Sequence, residues 1–174
     1  PSAEAVSVFD EFLTALNNLK PEVTVCIIAG NHDSAKRIDF ASNTLAKHRV
    51  MIAGMPPVTP EEHLKKVCLS DSYGEACIYL LPFVKPSYVR NLGAEDVSTY
   101  DDAVRLVIER ENIDTTKRNI IVSHQFYTAA GKEPETSDSE IRMVGCIENV
   151  DSAVLEAFDY AALGHIHRKQ KMGC

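Results

Sequence analysis

Residues 23–33 read V-T-V-C-I-I-A-G-N-H-D. The first seven are apolar or β-branched at nearly every position, which predicts a short strand buried on both faces. The last four, Gly30-Asn31-His32-Asp33, are turn residues that also carry an amide, an imidazole and a carboxylate. In α/β sheets the carboxyl ends of strands converge on one rim, where ligands bind. A strand that ends in such residues therefore predicts an α/β fold and a place to look for its chemistry.

Working outward, Val6, Phe9, Leu13 and Leu16 fall at helical spacing behind Ser2 as N-cap, with Phe12 widening the stripe. Asn17-Asn18 and Pro21 end that helix. On the other side, residues 35–47 read as a helix with Ile38, Ala41 and Leu45 inward, and 50–53 as a strand. Residues 64–69 and 76–81 read as two strands joined by a turn at 71–74. Thr99 or Asp101 caps a helix that reaches Arg110, with Val104, Val107 and Ile108 on its apolar side. Residues 119–123 form a strand ending at His124, and 128–140 a polar surface loop. Asp151 or Ser152 opens a helix through Phe158, and 160–163 is a last strand ending at Gly164. The alternation predicts helices packed on a sheet within one domain spanning residues 1–174.

Composition sets the outer limits. The 174 residues are 45% hydrophobic and 25% charged, which excludes a disordered or collagen-like chain. No apolar run approaches the ~20 residues of a membrane span, and the start does not resemble a signal peptide. Eighteen basic against 25 acidic residues give a net charge of −7, which argues against a basic nucleic-acid clamp. It leaves room for an enzyme that meets phosphates through bound cations. Five cysteines, an odd number with no C-x-x-C pair, predict reduced thiols in the cytoplasm, without a disulfide framework or zinc ribbon.

Three strands thus end in histidine-bearing turns: Gly30-Asn31-His32-Asp33, then His124, then Gly164-His165-Ile166-His167. A single strand-terminal histidine is more often a core or rim residue, and Asn31 after Gly30 is compatible with turn chemistry alone. The pair His165 and His167 is harder to dismiss, because alternate residues of an extended segment point to one side. Imidazoles with an amide oxygen and no thiolate suit Mn²⁺, Fe²⁺ or Zn²⁺ in a mixed N/O site. Sites of that kind serve two-metal phosphoester hydrolysis. His48 and His63 sit in polar contexts and are expected to be solvated.

G-N-H-D, a strand-terminal His and G-H-x-H together resemble the later motifs of the calcineurin-like metallophosphoesterases. The run Phe158-Asp159-Tyr160-Ala161-Ala162-Leu163-Gly164-His165-Ile166-His167-Arg168-Lys169-Gln170 is similar to SbcD-type nuclease subunits within them. Ser123-His124-Gln125-Phe126 and the stretch 137–140 before Val144-Gly145 fit the same group. The resemblance implies a metallophosphoesterase-type β-sandwich flanked by helices, incomplete at the N-terminus. It implies a metal-dependent DNA exonuclease/endonuclease with two divalent ions, Mn²⁺ foremost. The partners implied are DNA, an SbcC-like SMC-family ATPase and a second copy in a homodimer, in cytoplasmic DNA repair and recombination. Asn31, His124 and His165 correspond to ligands of the second metal and His167 to a ligand of the first. His32 corresponds to the catalytic histidine that stabilises or protonates the leaving 3′-oxygen, and Asp33 supports it or holds the turn. Other metallophosphoesterase activities (phosphatase, cyclic-nucleotide phosphodiesterase) and a catalytically silent scaffold are the alternatives.

The sequence also departs from that pattern. The family opens with D-x-H and then G-D-x-x-D, and neither occurs here. On this resemblance Pro1 corresponds to the point just after the second motif, and a capping domain is expected to follow the last residue. These residues alone are therefore expected to hold metal weakly and to cut no DNA, with Asp33 or Asp159 as the substitutes to consider for the missing carboxylates.

Overall fold

The computed structural model describes residues 2–93, 96–129, 148–167, 169 and 171. Helix α1 (Ala3–Asn17) starts where expected, with the Ser2 hydroxyl accepting from the Ala5 N–H at 3.2 Å. Its apolar stripe lies open, however: none of its residues is buried, and Val6, Phe9 and Phe12 are exposed. Strand β1 (Val25–Ile28) is half-buried along its length rather than buried on both faces. Among the described residues its one bonded neighbour is the parallel strand β2 (Val50–Ala53).

The helix expected over 35–47 is two short ones, α2 (Ala35–Ile38) and α3 (Ser42–Ala46). Ala41 breaks it by adopting the left-handed region, φ 59°. The bend is fixed at Asp39, whose carboxylate accepts from the Gly54 N–H at 3.1 Å and the Lys65 ammonium at 3.2 Å. Gly54 is needed there, since a Cβ would stand 2.2 Å from the Ala35 carbonyl oxygen.

Strands β3 (Lys65–Asp71) and β4 (Gly74–Leu81) form the predicted hairpin, with Asp71 opposite Gly74. That register sets Cys68 opposite Cys77, and the two are joined in a disulfide with Cα atoms 4.2 Å apart. The expectation of reduced thiols fails for this pair; Cys26 is the free cysteine among the described residues. Next come α4 (Pro86–Val89), a 3₁₀ turn at Arg90–Leu92, and α5 (Tyr100–Glu109). A capping box holds the start of α5: Thr99 Oγ1 accepts from the Asp102 N–H and Asp102 Oδ2 from the Thr99 N–H.

Strand β5 (Arg118–His124) runs parallel to β4. Two strands that the sequence does not announce, β6 (Phe126–Thr128) and β7 (Asn149–Asp151), make a small parallel pair. Instead of a helix through Phe158 there is one 3₁₀ turn, Ser152–Leu155, capped by Asp151. Strand β8 (Tyr160–Gly164) lies parallel on β5 and completes a four-stranded sheet in the order β3-β4-β5-β8. Of the loop expected over 128–140, everything after Ala129 lies outside the described residues, as do 137–140, Val144-Gly145, Cys146, Arg168, Gln170 and Cys174.

The architecture is mixed α/β. The main core lies on one face of the four-stranded sheet, where Tyr79, Leu81 and Ile121 meet Ala103, Val104, Val107 and Ile108 of α5. Side chains of that kind contribute about 1.5–3 kcal/mol each when fully buried. The other face carries Leu80, fully buried, and β1 and β2 pack beside β4. A backbone bond ties these two sheets just past the ends of β1 and β4: the Phe83 N–H donates to the Ala29 carbonyl at 2.9 Å. Among the described residues no helix is long and apolar enough to cross a membrane.

Candidate metal centre

That bond brings the end of β1 next to the ends of β5 and β8. His124, the last residue of β5, lies opposite Gly164, the last of β8. Its Nε2 stands 3.1 Å from Oδ1 of Asn31, which follows β1 by way of Ala29 and Gly30. Its ring centroid is 5.3 Å from that of His165, edge to face. Three of the expected ligands thus meet at one rim, each delivered by a different strand.

Two glycines make room for the imidazole. A Cβ at Gly30 would come 2.8 Å from His124 Cε1, and one at Gly164 would come 2.8 Å from His124 Nδ1. Both lie inside any real carbon contact, so the ring sits in a slot that alanine would close. Gly30 therefore serves close approach, a role its turn-forming tendency does not suggest. Phe83 and Phe126, which carry no motif of their own, pack their rings on the cluster. Phe83 lies 6.3 Å from His124, and Phe126 lies 5.7 Å from His165. Their signal in the sequence is faint, since each looks like any apolar residue beside a strand.

His165 adopts φ 93°, a region that residues with a side chain rarely enter. Such strain persists where the surroundings hold it, and it concentrates at functional sites. The sharp turn directs the chain from Gly164 to His167, which is exposed.

The G-N-H-D turn is closed from within. Asp33 Oδ2 accepts from the Gly30 N–H at 2.7 Å, and the Asp33 N–H donates to the Gly30 carbonyl at 3.2 Å. The carboxylate of Asp33 thus holds the turn. His32 lies exposed beside it. Asp159 is at the other end of the sheet, where its Oδ2 accepts from the Asn119 N–H at 2.7 Å. It cannot replace a missing carboxylate at the histidine end. His48 is exposed, and His63, 58% exposed, has Nδ1 3.5 Å from Glu111 Oε1.

Burial pushes the His124 pKa down to about 4. The nearby His165 lowers it further, Asp33 acts in the opposite sense, and His32 and His167 add smaller lowering effects. His124 is consequently a neutral imidazole at pH 7, the form that donates a lone pair to a cation.

The donors fit a divalent cation of mixed N/O preference. Two ligand atoms bound about 2.1 Å from one ion, roughly at right angles, lie about 3 Å apart. The Asn31 Oδ1 to His124 Nε2 separation of 3.1 Å matches. No carboxylate among the described residues closes the set. There, the trio of His, Cys, Asp or Glu ligand atoms within 4.8 Å of one another is Cys68, Glu75 and Cys77, and both sulfurs are in the disulfide.

No family model matches the sequence. The chain is similar to a protein described as the D subunit of the nuclease SbcCD, from Staphylococcus epidermidis (strain ATCC 12228 / FDA PCI 1200). The two are 29% identical over 171 residues, which cover 96% of this chain and 42% of that protein. The chain therefore spans less than half the length of this curated relative.

Proposed function

We propose that this chain is part of a metal-dependent DNA nuclease that hydrolyses phosphodiester bonds by a two-metal mechanism. The observation that carries the reading is the meeting of Asn31, His124 and His165 at one rim, with Asn31 and His124 3.1 Å apart. The similarity to a nuclease subunit supplies the substrate class. In this reading Asn31, His124 and His165 hold one cation and His167 belongs to a second, with Mn²⁺ the expected metal. The sheets form part of a metallophosphoesterase-type β-sandwich flanked by helices.

When bound, such cations polarise the phosphoryl group and generate a water nucleophile near neutral pH. The chain's own residues do the remainder. His124 stays neutral, Gly30 and Gly164 keep its slot open, and Asp33 fixes the turn that carries Asn31 and His32. His32, exposed at the rim, donates a proton to the leaving 3′-oxygen; proton donors of this kind are worth ~10²–10⁴-fold in rate. Asp33, the carboxylate of this turn, has its Oδ2 taken by the Gly30 N–H, so in this reading a further carboxylate would be needed to hold two cations together. The working assembly pairs this nuclease with an SbcC-like SMC-family ATPase, as a homodimer within a heteromeric complex, acting on DNA in cytoplasmic repair and recombination.

The test is cleavage of linear DNA by the protein carrying D-x-H and G-D-x-x-D ahead of Pro1, with and without Mn²⁺. The reading expects metal-dependent cleavage that His32→Ala cripples while leaving metal bound. Hydrolysis of phosphomonoesters or cyclic nucleotides without DNA cleavage would replace it with the other metallophosphoesterase activities. The absence of both motifs from the upstream coding sequence would leave the silent scaffold.

A further inference from the structure

We propose that Lys85 is a positioning residue that grips the nucleic-acid backbone next to the histidine cluster. The assignment rests on the nuclease reading and deepens it, by naming where a neighbouring phosphate would sit.

The observation is a short relay of rings. The Phe83 ring lies 6.3 Å from His124, and the Lys85 ammonium lies 5.9 Å from the centroid of that same Phe83 ring. The ammonium is also 5.9 Å from the Tyr88 ring. It is thus two ring contacts from the candidate metal ligand and is cradled by two aromatic faces. This location is fixed by the fold. Phe83 is bonded through its N–H to the Ala29 carbonyl, and Pro86 starts α4 directly after Lys85.

Lys85 forms no ion pair among the described residues, unlike Lys20, Lys65 and Lys117. Lys36, Lys47 and Lys66 share that state, and what sets Lys85 apart is its place two ring contacts from His124. The charge of Glu148 bears on the Tyr100 hydroxyl, whose ring packs on Phe83, but no ion pair joins Glu148 to Lys85. In a chain of net charge −7, an unpaired ammonium beside a phosphate-handling rim is where an approaching polyanion finds attraction. A strand carries one phosphate about every 3.4 Å of axis. A cation two ring contacts from the histidines therefore meets a phosphate near the scissile one rather than the scissile one itself. The aromatic faces restrict the ammonium, so little freedom is lost on contact.

The measurement is fluorescence anisotropy of a labelled single-stranded oligothymidine with the full chain over a range of salt. Lys85→Gln and Lys85→Met should weaken binding roughly fivefold and lower the salt slope by about 0.7, the value for one single-strand phosphate contact. Lys85→Arg should retain both, and Lys47→Gln, on the exposed end of α3, should change neither. Circular dichroism identical to the parent verifies that the variants fold. Parent-like affinity and slope in Lys85→Met, whose stem still covers Phe83, would overturn the assignment while leaving the nuclease reading in place. No binding by the parent chain itself would also overturn the assignment of Lys85, whereas the nuclease reading stands or falls on cleavage by the protein that carries the upstream motifs.

Discussion

The two ends of strand β5 are built on opposite principles. At its beginning, opposite charges and donors satisfy one another. Arg118 pairs with both oxygens of Asp71, and the Asn119 N–H is met by the Asp159 carboxylate. At its end, imidazoles gather with imidazoles, His124 facing His165, with an amide oxygen alongside and no carboxylate among the described residues closing the set. The first arrangement stabilises a fold. The second works against protonation, strains the backbone at His165 and needs two glycines to exist. An arrangement that stability alone does not favour is the reason the proposed function is placed at this end.

The largest break in this comparison should come from His124→Ala, which removes the central donor. Mn²⁺ affinity should fall by about 100-fold or more by calorimetric titration, with the fold retained. Next in size are Gly30→Ala and Gly164→Ala, which close the slot without touching a donor. Each should weaken metal binding about tenfold and cost roughly 1–3 kcal/mol in denaturant unfolding as the ring is forced aside. If either binds metal like the parent, the slot has no bearing on the site.

Asp159→Asn sharpens the contrast from the other end. It should lower stability by about 1 kcal/mol through the weakened bond to the Asn119 N–H, and leave metal affinity unchanged. A separate effect concerns acidity and shows only below neutral pH. The folded-state pKa of His124 lies at about 4, below its ordinary value of about 6.5. Between these values the unfolded chain binds more protons, so this contribution is complete above pH 6.5 and is lost as pH falls toward 4. His124→Gln, which does not titrate, should flatten that part of the metal-free stability profile.

How far the sequence reaches is visible in particular residues. The strand ends and their histidines are legible because an apolar β-branched run that gives way to a polar turn fits the end of a strand and little else. The hairpin is legible too, and its two-residue loop at 72–73 already implies that position 68 faces 77. Counting cysteines conceals what that register implies, a disulfide. The break at Ala41 is not legible. Residues 35–47 keep a helical pattern, and what ends α2 is tertiary: Asp39 reaching Gly54 and Lys65. The ring slot is also out of reach, since the steric role of Gly30 and Gly164 depends on three strands from distant parts of the chain. Asp159, adjacent in sequence to the last strand, is a reasonable substitute ligand until the parallel pairing of β5 and β8 puts it at the wrong end.

The central claim is that Asn31, His124 and His165 form one cation-holding cluster. It is tested most directly by titrating Mn²⁺ into the chain and following the imidazole ¹⁵N resonances of its histidines, using paramagnetic broadening as a ruler. The account predicts that His124 and His165 broaden first, at low metal, while His48 and His63 remain sharp. Uniform broadening of all the histidines, or broadening of His48 or His63 ahead of His124, would contradict it.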